Sequence, residues 1–268
     1  MMKILNKSQL QLIAVIAMVI DHTAGFVTSP ALYYSMRAIG RMTIVIMSYF
    51  VAEGFYKTRN VNRYIMRMAV FAAVSQVPFY LYEYVGNFPD DLFHVIVRMC
   101  TGLNVIFTLF VSLCLLAVIK SKLHIVIKII SFVVAWKLVS YGDWKYFCLL
   151  WVLAFGLFYG NERRQMKAAA AIVLLRVIVV GMPIIAQIIS AAFPPSVGNA
   201  FSSFAGHING AQPTVARLYF SFAQFGGLLA IPPLMMYNGE KGNAPRYGFY
   251  IFYPAHLVVL FFIKLFTH

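Results

Sequence analysis

The feature that most constrains this chain is a succession of apolar runs, each about as long as a bilayer is thick, separated by short polar connections. The first run, LQLIAVIAMVIDHTAGFV, extends from Leu10 to Val27. A transmembrane helix needs about 20 predominantly apolar residues. Only 11% of the residues are charged, whereas soluble domains carry about 25%. The sequence therefore predicts an all-α, polytopic integral membrane protein.

Nine runs are candidates for membrane-spanning helices, and no linker or internal repeat interrupts them. The predicted spans are approximately 9–28, 36–55, 62–83, 102–119, 123–140, 146–160, 168–192, 213–236 and 247–266. The sixth is short, so it can instead be tilted, re-entrant or fused with its neighbour. We predict a single integral membrane domain over residues 1–268, in contact with membrane lipids.

The formal net charge of +14 comes from cations clustered in alternate loops. This distribution encodes membrane topology and argues against nucleic-acid binding. The basic loops contain Lys3, Lys7, Lys57, Arg59, Arg63, Lys120, Lys122, Arg163, Arg164, Lys167, Lys241 and Arg246. An excess of positive charge marks cytoplasmic loops, which places the N-terminus inside and, with nine spans, the C-terminus outside. The uncharged loop of residues 193–212, which contains His207, is then external.

Asp21 and His22 interrupt the first span. An ionisable residue near the bilayer centre costs about 2.5–3.5 kcal/mol on insertion scales, so two adjacent ones are expected to be paired, hydrated or in use. A carboxylate beside an imidazole is a simple proton-handling unit. Arg37 and Arg41 share one face of the second helix and fall at a similar depth. These four residues predict a catalytic or binding site; a structural ion-pair network is the alternative.

A second polar group lies toward the cytoplasmic end of the second and third spans. Glu53 precedes a dense cluster of cations formed by Lys57, Arg59, Arg63 and Arg67. Membrane topology and contact with anionic lipids explain this cluster in one interpretation. In the other, it holds the phosphates of an anionic cytosolic cofactor.

Other polar residues interrupt apolar runs or mark a turn. Gln76 is expected to form hydrogen bonds with a neighbouring helix. Arg176 is expected to lie in the cytoplasmic half of its span. The turn from Asn238 to Lys241 has ordinary turn chemistry, although its backbone N–H groups can also meet phosphates. The remaining members of the predicted polar interior are Asn104, Thr108 and His256. No metal-ligand spacing or P-loop is present, and no metal is predicted.

Several short motifs occur in a distinctive order along the chain. They are Asp21-His22, Arg37–Arg41, Ala52–Phe55, Thr58–Asn60, Ser75–Phe79, Asn104–Leu109, Tyr237–Gly239 and Phe249–Leu257. In this order and spacing the chain resembles the TraX family, whose namesake N-acetylates the N-terminus of F-type pilin in the bacterial inner membrane. TraX proteins are in turn distantly similar to transmembrane acyltransferases that use acetyl-CoA and require an intramembrane histidine.

The resemblance implies that acetyl moves from cytosolic acetyl-CoA to an amine or hydroxyl acceptor on the outer side, such as a pilin N-terminus, an exported peptide or a glycan. His22, oriented by Asp21, would act as general base, while Arg37 or Arg41 would stabilise the oxyanion or anchor the acceptor. The expected cofactor-binding residues are Glu53, Lys57, Arg59, Arg63, Arg67, Asn238 and Lys241. The alternatives are a proton-coupled secondary transporter and a non-enzymatic subunit for conjugation or assembly.

Overall fold

The chain is described by a computed structural model over residues 2–89, 91–192, 214–243 and 248–267. These residues form helices, with no strand among them, which confirms the all-α prediction. The helices are α1 (Lys7–Thr23), α2 (Pro30–Lys57), α3 (Val61–Tyr84), α4 (Leu92–Thr101), α5 (Val105–Lys120), α6 (Ile125–Val139), α7 (Lys145–Leu157), α8 (Glu162–Ala192), α9 (Thr214–Ala223), α10 (Ile231–Met235) and α11 (Gly248–Thr267). His207 and Arg246 lie outside the described residues.

Among the described residues, six helical segments are long and apolar enough to cross a membrane, so the chain has the character of a multi-pass membrane protein. They are Lys7–Phe26, Pro30–Lys57, Val61–Tyr84, Glu162–Ala186, Ala216–Met235 and Gly248–Thr267. The other three predicted spans correspond to α5, α6 and α7, which contain 16, 15 and 13 residues. A perpendicular crossing needs about 20 residues, so the count of nine spans stays a prediction.

Several boundaries differ from the sequence prediction for identifiable reasons. Helix α2 begins at Pro30, six residues before the predicted start, because proline is well suited to the first helical position. Helix α8 begins at Glu162, where the Asn161 side chain accepts a hydrogen bond from the backbone N–H of Arg164. The predicted span over 213–236 corresponds to the membrane-length segment Ala216–Met235, in which a 3₁₀ segment, Gln224–Ala230, separates α9 from α10.

Helix α2 forms the centre of the bundle and packs against α1, α7 and the 3₁₀ segment. At the 3₁₀ segment, a Cβ atom on Gly226 would overlap the backbone of Ala38 in α2, so only glycine permits this approach. Helix α1 runs antiparallel to α2: Lys7 lies beside Glu53 near one end of the pair. We call this the basic end. The opposite end, where Asp21 meets Arg37, is the histidine end.

Candidate active site

Two histidines face each other at the histidine end. The ring centroids of His22 in α1 and His256 in α11 are 5.1 Å apart, in an edge-to-face arrangement. Nδ1 of His22 lies 2.8 Å from the carbonyl oxygen of Met18, and Nδ1 of His256 lies 3.0 Å from that of Phe252. A carbonyl oxygen only accepts hydrogen bonds, so Nδ1 carries the proton in each ring. In the neutral form, Nε2 of each histidine therefore has a free lone pair.

Aromatic side chains enclose this histidine pair. The Tyr82 hydroxyl donates a hydrogen bond to the backbone oxygen of His22 at 3.0 Å, and its ring lies 5.5 Å from the His22 ring. Phe252 stacks on His256 at 5.1 Å, and Tyr253 meets it edge-on at 5.5 Å. His256 is buried, and its Nε2 has no hydrogen-bond partner among the described residues. The pair thus presents base-capable nitrogens in surroundings of low polarity.

Asp21 does not orient His22, and this part of the prediction is wrong. Consecutive side chains of a helix point about 100° apart, and Oδ2 of Asp21 instead pairs with Nη1 of Arg37 at 3.0 Å. The His22 ring is held by the Met18 carbonyl. Gly40 makes the ion pair possible, because a Cβ atom there would overlap the Asp21 side chain. Asp21 therefore contributes charge and packing beside His22.

A third group at the histidine end combines two arginines with one indole ring. The guanidinium of Arg41 lies 5.0 Å from the Trp144 ring, and that of Arg176 lies 4.5 Å from it. Nε of Arg176 donates to Oε1 of Gln224 at 2.8 Å. The prediction that Arg176 lies toward the cytoplasmic, basic half is wrong, because α8 begins six residues earlier than expected and carries Arg176 further along the bundle.

At the basic end, a cavity of about 690 Å³ opens between α1, α2, α3, α5 and the segments around Tyr237 and Phe249. Its cationic lining residues are Lys7, Lys57, Arg59, Arg63, Arg67 and Lys241. All predicted cofactor-binding residues except Asn238 line this basic cavity. Asn238 lines an adjoining cavity, and its Oδ1 accepts a hydrogen bond from the backbone of Glu240, as expected of a turn residue.

Glu53 is the carboxylate of the basic cavity and is only 3% exposed. It pairs with Lys57 at 2.8 Å and with Lys7 at 3.4 Å. Burial and the neighbouring Glu53 carboxylate raise the pKa of Tyr237, so this hydroxyl stays protonated and donates to Glu53. Glu53 therefore pairs with both lysines, and this group of three keeps a net charge of +1. In the described part of the chain, Arg59, Arg63, Arg67 and Lys241 form no ion pair with a carboxylate.

The basic cavity and the histidine pair occupy different levels of the same helices. Tyr64, Met68 and Tyr250 line the cavity toward the interior, and the Tyr250 hydroxyl lies 3.3 Å from the Met68 sulfur. His22 and His256 are not among the lining residues. Tyr250 and His256 are six residues apart in α11, a rise of about 9 Å. The cavity lining and the histidine pair therefore lie more than one helical turn apart along α11.

The remaining predicted interior residues join helices to one another. Nε2 of Gln76 donates to the carbonyl of Gly102 at 2.8 Å, while its Oε1 accepts from Nδ2 of Asn104 at 2.8 Å. The Thr108 hydroxyl donates to the backbone oxygen of Asp143 at 2.8 Å. These bonds fix α3, α5 and the segment preceding α7. Among the described residues, no group of three histidine, cysteine or acidic side chains is placed to hold a metal ion.

Trp144 and Gln224 were not predicted as site residues. Gln224 gave a signal that was available in the sequence, since it is an amide within an apolar span. Trp144 gave none, because its place under both guanidiniums depends on a backbone conformation with φ of 61°.

Comparison with known proteins identifies the family. The profile of the family described as TraX protein matches residues 6–264. The chain is also 30% identical to the Probable fimbrial assembly protein FimC, serogroup H1, of Dichelobacter nodosus, and the match covers 96% of this chain and 95% of that protein. No solved structure matches the chain. The resemblance found in the sequence is confirmed: the chain belongs to the TraX family.

Proposed function

We propose that this protein is a membrane-embedded acetyltransferase that transfers acetyl from cytosolic acetyl-CoA to an amine or hydroxyl on the outer side of the bacterial inner membrane. The observation that carries the proposal is the arrangement of two complementary sites along shared helices. Helices α1 and α11 each contribute a histidine to one site and lining residues to the basic cavity at the other.

The basic cavity suits the nucleotide part of acetyl-CoA. Acetyl-CoA carries several phosphate charges, and a concave surface of one sign of charge concentrates an oppositely charged ligand. Arg59, Arg63, Arg67 and Lys241 form no ion pair with a carboxylate among the described residues, so they are the proposed phosphate ligands. Arginine also matches phosphate oxygens with two parallel hydrogen bonds. In the orientation predicted from the loop charges, this end faces the cytoplasm, where acetyl-CoA is available.

The histidine pair suits the transfer step. Nε2 of His22 takes the proton of the acceptor amine or hydroxyl as the acceptor atom attacks the thioester carbonyl. The tetrahedral intermediate then collapses, the carbon–sulfur bond breaks, and the coenzyme A thiolate recovers a proton from the imidazolium. His256 faces the same space with an unpartnered Nε2, so it can share that proton. General base catalysis of this kind contributes about 10²–10⁴-fold to a rate.

Asp21 and Arg37 are proposed to support this chemistry electrostatically. Their ion pair at 3.0 Å fixes the guanidinium next to the histidine pair. Nε of Arg37 has no hydrogen-bond partner among the described residues, and it is the donor available for negative charge that develops on the carbonyl oxygen. A donor positioned in advance of the reaction stabilises such charge most effectively in water-poor surroundings.

The TraX family and the FimC relative favour a fimbrial or pilus subunit as the acceptor. The relative's name also supports a second candidate, a non-enzymatic assembly subunit. The two differ in what they require of His22. A purely structural subunit tolerates its replacement provided that the bundle still folds, whereas an acetyltransferase does not.

The proposal is tested by mass spectrometry of proteins, lipids and glycans from cells that carry the wild type, His22→Ala or no copy. His94→Ala is the matched control, because this histidine is exposed and contacts only Asp91, three residues earlier, among the ion pairs of the described residues. We expect an acetylated species with the wild type and with His94→Ala that is absent with His22→Ala. An acetylated species that persists at the wild-type level in His22→Ala cells contradicts the general-base role. If cells with the wild type and cells with no copy contain the same acetylated species, the acetyltransferase activity is contradicted.

A further inference from the structure

At the histidine end, the side chain of Arg41 is buried without the partners that a buried cation requires. Arg41 is only 5% exposed, yet its Nε and Nη2 have no hydrogen-bond partner among the described residues. The nearest acidic residue on α1, Asp21, is already paired with Arg37. A buried guanidinium with unsatisfied N–H groups is unfavourable unless a ligand completes it.

A second cation lies beside Arg41, so the one carboxylate near both guanidiniums cannot neutralise the two of them. Arg41 and Arg176 lie 5.0 Å and 4.5 Å from the same Trp144 ring, so the like charges repel each other. Asp143 is the acidic residue near both guanidiniums. Its Oδ1 accepts a hydrogen bond from the backbone N–H of Trp144 at 2.8 Å. Two guanidiniums and one carboxylate leave a net charge of +1, which one bound anion neutralises.

The backbone at Trp144 has an uncommon conformation that supports the contact between its indole ring and the two guanidiniums. Trp144 and Lys145 have φ angles of 61° and 43°, in the left-handed region that residues with a side chain rarely adopt. Such conformations cluster at ligand sites, where the surrounding structure holds them. Here the conformation places the indole ring against both guanidiniums. Arg176 is fixed further by its 2.8 Å hydrogen bond to Gln224.

We propose that Arg41, Arg176, Gln224 and Trp144 form a binding site for an oxyanion, a carboxylate or phosphate, carried by the acceptor. The planar fork of a guanidinium matches the two oxygens of either group. Arg41 lies one helical turn from Arg37, which reaches the residue preceding His22, so an anion held here places the acceptor beside the histidine pair. This inference rests on the proposed function only for the statement that the ligand is the acceptor.

Binding is tested directly by the fluorescence of Trp144, which does not depend on acetyl transfer. The protein in neutral-lipid nanodiscs is titrated with acetate and, separately, with inorganic phosphate, with chloride at equal ionic strength as reference. The same titration of Trp144→Phe identifies the signal of this tryptophan, since the chain also contains Trp136 and Trp151. We expect a saturable change with acetate or phosphate that chloride does not cause and that Trp144→Phe lacks.

The variants Arg41→Gln and Arg176→Gln are each expected to weaken anion binding at least tenfold. Lys137→Gln is the matched control, since this exposed cation also lies over an aromatic ring, that of Tyr141. Arg41→Lys and Arg176→Lys keep the charge and the fold but lose the planar fork, and they should bind with intermediate affinity. No saturable change with either anion in the wild type, or equal binding by Arg41→Gln, overturns the proposal.

These experiments distinguish a carboxylate ligand from a phosphate ligand. They also distinguish failure of the anion site from failure of the proposed acetyltransferase activity. Acetate alone producing the change identifies a carboxylate, and phosphate alone identifies a phosphate. Anion binding that survives while no acetylation depends on the chain contradicts the acetyltransferase but not this site. Conversely, acetylation that continues unchanged in Arg41→Gln and Arg176→Gln, with acceptor KM at the wild-type value, overturns the acceptor role.

Discussion

The affinity of the basic cavity for acetyl-CoA is expected to depend on two arginines of α3 that lie one helical turn apart. Arg63 is exposed, whereas Arg67 is partly buried and its Nε has no partner among the described residues. A bound phosphate should therefore interact more strongly with Arg67 than with Arg63. Replacing both with glutamine removes two positive charges from the cavity and leaves the paired lysines in place.

The size of the effect follows from the exposure of each side chain. Two unit charges about 4 Å apart attract by about 4 kcal/mol at an effective dielectric constant near 20, but exposed pairs retain only about 0.2–1 kcal/mol. We assign about 0.5 kcal/mol to Arg63 and, since it is better shielded, about 1.4 kcal/mol to Arg67. The sum is about 2 kcal/mol, which corresponds to a roughly 30-fold weaker Kd.

Isothermal titration calorimetry of acetyl-CoA binding in nanodiscs measures this change. Lys122→Gln is the matched control, because it removes a cation from the same end of the bundle outside the cavity lining. We expect Lys122→Gln to bind like the wild type and the difference between the variants to shrink as salt is added. Binding by Arg63→Gln/Arg67→Gln within twofold of the wild type contradicts the assignment of these two arginines as phosphate ligands, as does an equal loss in Lys122→Gln.

Three further substitutions test other parts of the site. Glu53→Gln leaves Lys7 and Lys57 without their buried partner, so it should lower the free energy of unfolding in detergent by about 1–3 kcal/mol without weakening acetyl-CoA binding; weaker binding contradicts a role for Glu53 limited to pairing with these lysines. Gly40→Ala forces Asp21 away from its partner and should cost about 1–3 kcal/mol together with most acetyl transfer, whereas wild-type transfer shows that the close approach is dispensable. Replacing His256 with asparagine should lower kcat about 100-fold, the lower end of the range for general acid–base catalysis, with an unchanged Kd for acetyl-CoA, and an unchanged kcat excludes it from the proton path.

The sequence was sufficient to predict the fold class and the gathering of charges at the basic end. Apolar runs of bilayer length leave few architectures other than a helical bundle. The loops near Lys57 and Lys241 were both assigned to one side by their charge, and in the structure the Lys57 side chain bonds the backbone oxygen of Gly239 at 2.9 Å. The distribution of positive charge predicts on which side of the membrane each loop lies. Loops on the same side of a small helical bundle are close together in space.

The side-chain contacts at the histidine end could not be predicted from the sequence, for physical reasons. A run of apolar residues around Asp21 and His22 fixes their depth but not the direction in which each side chain points, so the helix neighbour was mistaken for the orienting group. The contact between His22 and His256 joins residues far apart in sequence, and it depends on how α1 packs against α11. The position of Arg176 required the true start of α8, which is set by a capping interaction that hydrophobicity does not report.

The central claim is that acetyl moves from the basic end of the bundle to an acceptor at the histidine end. Sealed inside-out membrane vesicles, with labelled acetyl-CoA supplied only outside, test this most directly. We expect label on acceptors within the lumen with the wild type and with His94→Ala, and not with His22→Ala. Label confined to the outer surface, or the same lumenal labelling with His22→Ala, contradicts this claim.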